Sequence, residues 1–391
     1  MKAVVFDADW APKRGYEPTD EERKTRFVKT GSQVWKNPRL TISDLPIPEL
    51  APNEVLIRVK AAGICGSDQH VYESGEDGYT LYPGPVAAPV VLGHEFSGLV
   101  EKVGSAVTDF VVGDMLVSEE YRPCGECYPC RLGHPMMCRN MHADLGFRTN
   151  GGMAEYTVAS SSQLWKINSF MEAYDGDEDR AFEAGAMVEP ASIAFNALFV
   201  EGGGFTPGAY VAVFGTGPIG LCAIALSRAA GAAKVIAFEM NVTRAQLAHE
   251  FGVDAVHDPA DLATRGTSPA DVMLELTNGD GVNVIFEAAG APHITLSDAT
   301  RALGIDGKIL VVGLPTKPAP LDLGHFLVTG SQLIGSGGHL GHGTFGNVIR
   351  LLASKRIDLS AAITARFALT NALDAFHRLE SREDAKVMLR M

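Results

Sequence analysis

The sequence predicts an α/β protein in two parts: an irregular β-barrel in the first half and a doubly wound parallel sheet in the second. Three observations carry this. Up to about residue 165, short alternating runs such as Glu54–Ala61, Phe96–Val103 and Ala154–Val158 stand among glycines and prolines, as half-buried strands do. From Ala209 onward, apolar strands alternate with helical stretches, which buries a parallel sheet on both faces. Between one such strand and helix lies a glycine-rich turn, residues 215–220. A length of 391 residues accommodates two or three domains.

The candidate strands of the second part are Ala209–Phe214, Lys234–Glu239, Ala255–His257, Val282–Glu287 and Lys308–Val312, with a sixth near Gln332–Ile334. Helices are expected over Ile219–Ala230 and Thr243–Phe251, then a tail helix at Asn371–Leu379 and a last strand at Lys386–Leu389. The segment Trp10–Asn37 fits neither part. It is charged and poor in strand signals, and reads as a solvated surface insertion with a helical turn or two at Asp20–Lys24; a lid or an oligomer contact are the alternatives.

With 33 basic and 47 acidic residues the net charge is −14, which argues against nucleic acid or an anionic membrane as partner. Met1–Asp7 reaches an acid too early for a secretory h-region. Gly202–Ser227 is uncharged, but its seven glycines and two prolines do not suit a spanning helix. A cytoplasmic protein is expected.

Gly215-Thr216-Gly217-Pro218-Ile219-Gly220 follows a strand, opens a helix and is followed nineteen residues later by Glu239 at the end of the next strand. Glycines permit close backbone approach to a pyrophosphate, and the helix N-terminus supplies amides and positive dipole. Glu239 would accept hydrogen bonds from ribose hydroxyls and repel a 2′-phosphate, so NAD is expected over NADP.

Cys124, Cys127, Cys130 and Cys138 crowd into fifteen residues, spaced to wrap four thiolates around one tetrahedral ion; four sulfurs make a closed, structural site. A second constellation is dispersed: Cys65, Ser67, Asp68 and His70, then His94-Glu95, then Glu189. By residue type and spacing alone, a metal site and ordinary structural duty are equally open there.

Gly93-His94-Glu95-x2-Gly98-x5-Gly104-x2-Val107 resembles the zinc signature of medium-chain alcohol and polyol dehydrogenases. The GICGSD run at 63–68, the four-cysteine lobe, Gly113-Asp114, the GGMAEY run at 151–156 and the nucleotide fingerprint follow in that family's order. The resemblance spans nearly all of the chain except Trp10–Asn37. It implies a GroES-like catalytic domain over residues 1–190, an NAD-binding Rossmann domain over 191–344, a segment 345–391 returning to the catalytic domain, and an active site in the cleft between domains.

It further implies two zinc ions per chain. Cys65, His94 and Glu95 match catalytic zinc ligands, and Glu189 matches the polyol-type acid that binds zinc directly or through water. Asp68 would orient His94. Ser67 and His70 match a proton relay. Ile219, Glu239, Arg244, Val312, Gly313, Leu314, Gly335 and Ser336 match cofactor contacts. The loops at 31–35, 78–84 and 337–345 are similar to a cyclitol branch, that of scyllo-inosose and deoxy-inosamine dehydrogenases, with Tyr79, His339 and His342 as candidate substrate contacts. The expected partner is a small polyol or cyclitol, and the expected assembly a homo-oligomer, a tetramer rather than a dimer. The competing readings are a linear-alditol or L-threonine-type dehydrogenase, and a nucleotide-binding structural protein without turnover.

Overall fold

The computed structural model describes residues 1–315 and 317–391, in two compact units. The first comprises Met1–Glu189, Ile363–Arg382 and Lys386–Met391; the second comprises Pro190–Ala362 and Glu383–Ala385. The stretch 345–362 thus lies with the second unit, and the return to the first begins at Ile363 rather than at residue 345. The reason is local: the helix Thr344–Ala353 buries Phe345, Val348, Ile349 and Leu352 along one face and does not detach from the unit that precedes it.

The main sheet of the first unit runs Leu164–Lys166, Met115–Ser118, Glu95–Val103, Glu54–Ile64, Lys386–Arg390, Ile363–Ala368. One edge of the eleven-residue strand Glu54–Ile64 is shared. Residues 54–58 pair antiparallel with Tyr156–Ser160, and residues 61–64 pair antiparallel with 387–390. Val55, Ile57 and Val59 alternate into a core with Phe96, Leu116, Val387 and Leu389. Burying each such side chain contributes about 1.5–3 kcal/mol.

The insertion is more structured than a solvated surface segment. Its helix, Asp20–Thr25, is capped by Thr19 in a reciprocal box with Glu22, and its strand Phe27–Val28 pairs with Val86–Ala87. Trp35 is fully buried and donates its indole N–H to the Val86 carbonyl at 3.0 Å. The Arg26 guanidinium lies 4.8 Å from the ring centroids of both Trp10 and Trp35, a cation–π pairing that charge composition alone does not reveal.

The second unit holds a six-stranded, wholly parallel sheet in the order Ala255–His257, Lys234–Phe238, Tyr210–Phe214, Val282–Glu287, Leu303–Val311, Gln332–Gly335. Every expected strand is present. The fifth starts five residues earlier than expected, because Gly304 and Gly307 lie within it and its pairing with Val282–Glu287 is irregular. Among the described residues, no helix is long and apolar enough to cross a membrane.

Candidate active site

Three elements of the first unit deliver the candidate catalytic ligands. Cys65 caps the helix Gly66–Tyr72 at the end of the long strand Glu54–Ile64. His94 follows Gly93, whose φ of +97° and tight approach to Met153 favour a residue without Cβ, and Glu95 opens the strand Glu95–Val103. The ligand atoms of Cys65, His94 and Glu95 lie within 4.8 Å of one another.

Asp68 is fully buried. Its Oδ2 accepts the Cys65 amide at 2.9 Å, while its Oδ1 faces His94 Nδ1 at 3.8 Å. Neither of those two atoms has a hydrogen-bond partner among the described residues. A soft thiolate, an imidazole and a carboxylate, with an acid aimed at the imidazole, form a donor set that fits zinc. Burial pulls the His94 pKa down, but Glu120, Asp68 and Cys65 outweigh it and hold it well above the usual value. Glu189 is buried, and burial pushes its carboxyl up to about 7.

Glu95 is also the partner of a residue that the motifs do not contain. Lys386 Nζ donates to Glu95 Oε1 at 2.7 Å and Oε2 at 2.6 Å, and to the Ile64 carbonyl at 3.1 Å. Both side chains are 1% exposed. Burial lowers the Lys386 pKa, and the negative charge of Glu95, seconded by Cys65, more than restores it. Two further acids went unread. Glu120 is buried beside Asp144 and within the field of His94 and Glu189, so burial and its acidic neighbours raise its pKa well above normal. Asp144 is pushed up to about 6, chiefly by burial. The available signals were slight: a lysine opening a last strand whose next three residues are apolar, and two acids in no motif.

Ser67 and His70 follow Cys65 on the same short helix. The His70 side chain is 41% exposed, and its Nδ1 lies 3.1 Å from Glu73 Oε2.

The four lobe cysteines are unoxidised and converge, with Sγ–Sγ separations of 3.5 Å (Cys127–Cys130), 3.8 Å (Cys127–Cys138) and 3.5 Å (Cys138–Cys124). A tetrahedron with Zn–S bonds of about 2.3 Å has edges of roughly 3.8 Å, so the arrangement fits one zinc ion. Backbone amides of Cys130 and Arg139 hold the Cys127 thiol down at about 6.

In the second unit, Gly215 has φ +86°, and a Cβ on Gly220 would meet the Gly215 carbonyl at 1.9 Å; the turn needs both glycines. Pro218 opens the helix Pro218–Ala229, with Gly217 as its N-cap and Ile219 beside it. Glu239 Oε2 accepts the Thr216 amide at 2.8 Å, and Oε1 accepts the Asn241 amide at 2.8 Å, so the acid spans the glycine turn and the following helix start. Arg244 donates to the Asp384 carbonyl at 2.8 Å. The amides of Val312 and Gly313 donate to the Glu287 carbonyl, and Leu314 next to them is exposed. Gly335 ends the last strand, and Ser336 accepts from Asn196 Nδ2 at 3.3 Å.

Of the candidate substrate contacts, Tyr79 donates its hydroxyl to the Ala11 carbonyl at 2.8 Å, beneath Lys13 at 4.3 Å from the ring centroid; it anchors the insertion. His339 is fully buried against Phe345, whereas His342 is exposed at a left-handed turn position, φ +53°.

A GroES-like barrel carrying a Cys–His–Glu centre and a closed four-thiolate lobe, in one chain with a Rossmann sheet, defines a zinc-type alcohol dehydrogenase. Family models for the alcohol dehydrogenase GroES-like domain and for zinc-binding dehydrogenase match residues 51–169 and 218–354, and the chain belongs to the zinc-dependent medium-chain alcohol dehydrogenase family. Zinc and a nicotinamide dinucleotide are the cofactors that membership brings. The chain is 38% identical to the scyllo-inosose 3-dehydrogenase of Thermotoga maritima over 97% of each protein. It is 33% identical to the L-threonine 3-dehydrogenase of Bacillus subtilis over 89% of this chain and 94% of that one. Among solved structures, an alcohol dehydrogenase of Thermotoga maritima matches all of both chains with a TM-score of 0.94 and 37% identity. The 2R,3R-butanediol dehydrogenase of Bacillus subtilis gives 0.77 and 29%, covering 90% of this chain and 96% of that one.

Proposed function

We propose that this enzyme transfers hydride between NAD and a secondary alcohol or ketone carbon of a polyhydroxylated ring, a cyclitol such as an inosose or a deoxy-inosamine. The observation that carries the reading is the likeness to the Thermotoga scyllo-inosose 3-dehydrogenase, which spans 97% of the chain. Residues 10–37 make up roughly 7% of the sequence, more than that likeness leaves outside its span; the match to the threonine dehydrogenase, at 89%, leaves enough outside to hold the whole insertion. The second reading, an L-threonine-type or linear-alditol dehydrogenase, is favoured on its threonine side by the likeness to the Bacillus subtilis L-threonine 3-dehydrogenase. A structural protein without turnover has no use for a Cys65–His94–Glu95 cluster with the buried Asp68 aimed at His94.

In this reading Cys65, His94 and Glu95 hold the catalytic ion, with Glu189 as a further acid, and the lobe cysteines hold a second, structural ion. Zinc supplies the Lewis acidity that makes an alcohol proton available near neutral pH. Asp68 fixes the His94 ring, and Lys386 fixes the Glu95 carboxylate. Ser67 and His70 pass the proton outward, and the exposure of His70 suits delivery to water. Glu239, placed beside Gly215–Gly220, selects NAD.

The assembly in this reading is a homo-oligomer. Gln332–Gly335 is an edge strand of the parallel sheet, and the preceding helix exposes Leu323, Leu327 and Val328 at 70%, 85% and 81%.

The test is steady-state turnover with NAD and NADP across cyclitols, alditols, L-threonine and simple alcohols. Higher kcat/KM for threonine or a simple alcohol than for every cyclitol overturns the assignment.

A further inference from the structure

The first unit contains a cavity of about 690 Å³ that none of the motifs anticipates. Its wall is built from three separate stretches: the insertion at Thr19 and Lys29, the loop carrying Tyr82, and the four-cysteine lobe with the residues on either side of it, from Tyr121 to Arg148. That volume falls in the range of small-molecule sites. Asp144 lines it, is 9% exposed, and its Oδ1 has no hydrogen-bond partner among the described residues. A buried acceptor of this kind costs free energy unless something donates to it.

The cavity lies close to the chemistry. The Tyr82 ring stacks on Phe147 at 5.0 Å between centroids, and Phe147 packs against His94 at 5.3 Å. One aromatic residue therefore separates a wall of the cavity from a zinc-ligand candidate. Asp144 in turn lies beside Glu120, within the field of His94. Burial, reinforced by neighbouring acids, raises the Tyr82 and Tyr121 pKa values well above 10, so both phenols keep their protons. Charge at the wall is balanced: Lys29, Arg139 and Arg148 stand against Glu21, Glu22 and Asp144. That balance does not select a phosphorylated ligand.

We propose that this cavity is a specificity subsite of the dehydrogenase, taking the hydroxyl-bearing part of a neutral polyol remote from the reacting carbon, with Asp144 accepting from its hydroxyls and Tyr82 donating to them. The insertion then forms part of the substrate site, because its helix closes one side of the cavity. This inference rests on the polyol reading above and assigns residues to it. An alcohol of the same ring size without the extra hydroxyls leaves Asp144 unanswered, which is how a polar pocket rejects a smaller congener.

The experiment compares the zinc-loaded enzyme with Asp144→Asn and Tyr82→Phe, using scyllo-inositol and cyclohexanol as paired alcohols of one ring size. Calorimetric titration of scyllo-inositol and thermal midpoints are measured on the same samples. The expected result is a KM for the cyclitol ten- to hundred-fold higher in either variant, weakened calorimetric binding, kcat within about threefold, and an unchanged KM for cyclohexanol. Equal losses on both alcohols, or no change on either, overturn the subsite. Tyr82→Phe decides should Asp144→Asn fail to fold. A wild-type enzyme that turns over cyclohexanol better than any polyol overturns the polyol reading, and the subsite with it; a preference for polyols that neither variant disturbs overturns the subsite alone.

Discussion

Lys386 and Glu95 form a bidentate ion pair at 2.6–2.7 Å, both side chains 1% exposed, joining residues 291 positions apart. In the zinc-free protein, breaking this buried pair by removing one partner leaves an uncompensated charge, which typically costs 3–5 kcal/mol. Lys386→Met is therefore expected to lower unfolding free energy by about that amount, and Lys386→Met with Glu95→Gln by clearly less. A double-mutant cycle in urea measures the difference; additive losses would show that the two side chains do not act as a pair.

Two zinc ions per chain with separable roles are expected. Cys65→Ser should abolish turnover while the protein stays folded, because the centre is set by the strand ends and the Gly66–Tyr72 helix. Cys130→Ser should chiefly lower the thermal midpoint, since a closed thiolate site contributes folding energy. Elemental analysis giving one zinc per chain in the unmodified protein contradicts this.

The Glu239 carboxylate bridges the Thr216 and Asn241 amides, so it holds the glycine turn besides the cofactor role proposed for it. Glu239→Gln, which keeps an acceptor, is expected to narrow the NAD preference by ten- to hundred-fold, about 1–3 kcal/mol. The check is kcat/KM with both cofactors. NADP used as well as NAD by the unmodified enzyme would remove the acid from that role.

Glu22 anchors the insertion. Burial raises its pKa, but the Lys29 amide, the Tyr16 hydroxyl and the amide and hydroxyl of Thr19 outweigh this and hold it at about 2. A carboxyl depressed by folding contributes stability above its unfolded pKa, and loses it as pH falls through the folded one. The window runs from about pH 4.5 down to 2. Glu22→Gln should lower stability at pH 7 by roughly 1–2 kcal/mol after solvent screening and flatten the acid limb across that window. Denaturation curves at pH 7, 4 and 3 decide; parallel curves for the two proteins count against it.

If the sheet edge at Gln332–Gly335 joins copies of the chain, Leu327→Asp with Val328→Asp should shift the species seen by analytical ultracentrifugation to smaller mass at unchanged fold. An unaltered sedimentation profile would place the contact elsewhere.

What the sequence disclosed follows the range of each interaction. The four-cysteine lobe and the Gly215–Gly220 turn are local, so spacing alone displays them. The parallel sheet shows through its apolar strands for the same reason. Lys386 was invisible as a site residue, because only the antiparallel pairing of 387–390 with 61–64 brings it beside Glu95. Glu120 and Asp144 meet through the pairing of Tyr121–Arg122 with Ala143–Asp144, which no motif announces. The helical turn at Asp20–Lys24 was legible in the insertion, but its packing was not, because Arg26 sets its charge against two indole rings.

The strand Lys386–Arg390 has a temporal consequence. It lies between Glu54–Ile64 and Ile363–Ala368, so during synthesis the strand Ile363–Ala368 has no link to the rest of that sheet until residues 386–390 have emerged from the ribosome. The parallel sheet of the second unit is complete by Gly335, well before that point. A nascent chain can thus assemble its nucleotide fold first, while Glu95 waits without its counter-ion. A chain that stops before Lys386 would keep the parallel sheet of the second unit and leave Glu95 without its ion-pair partner.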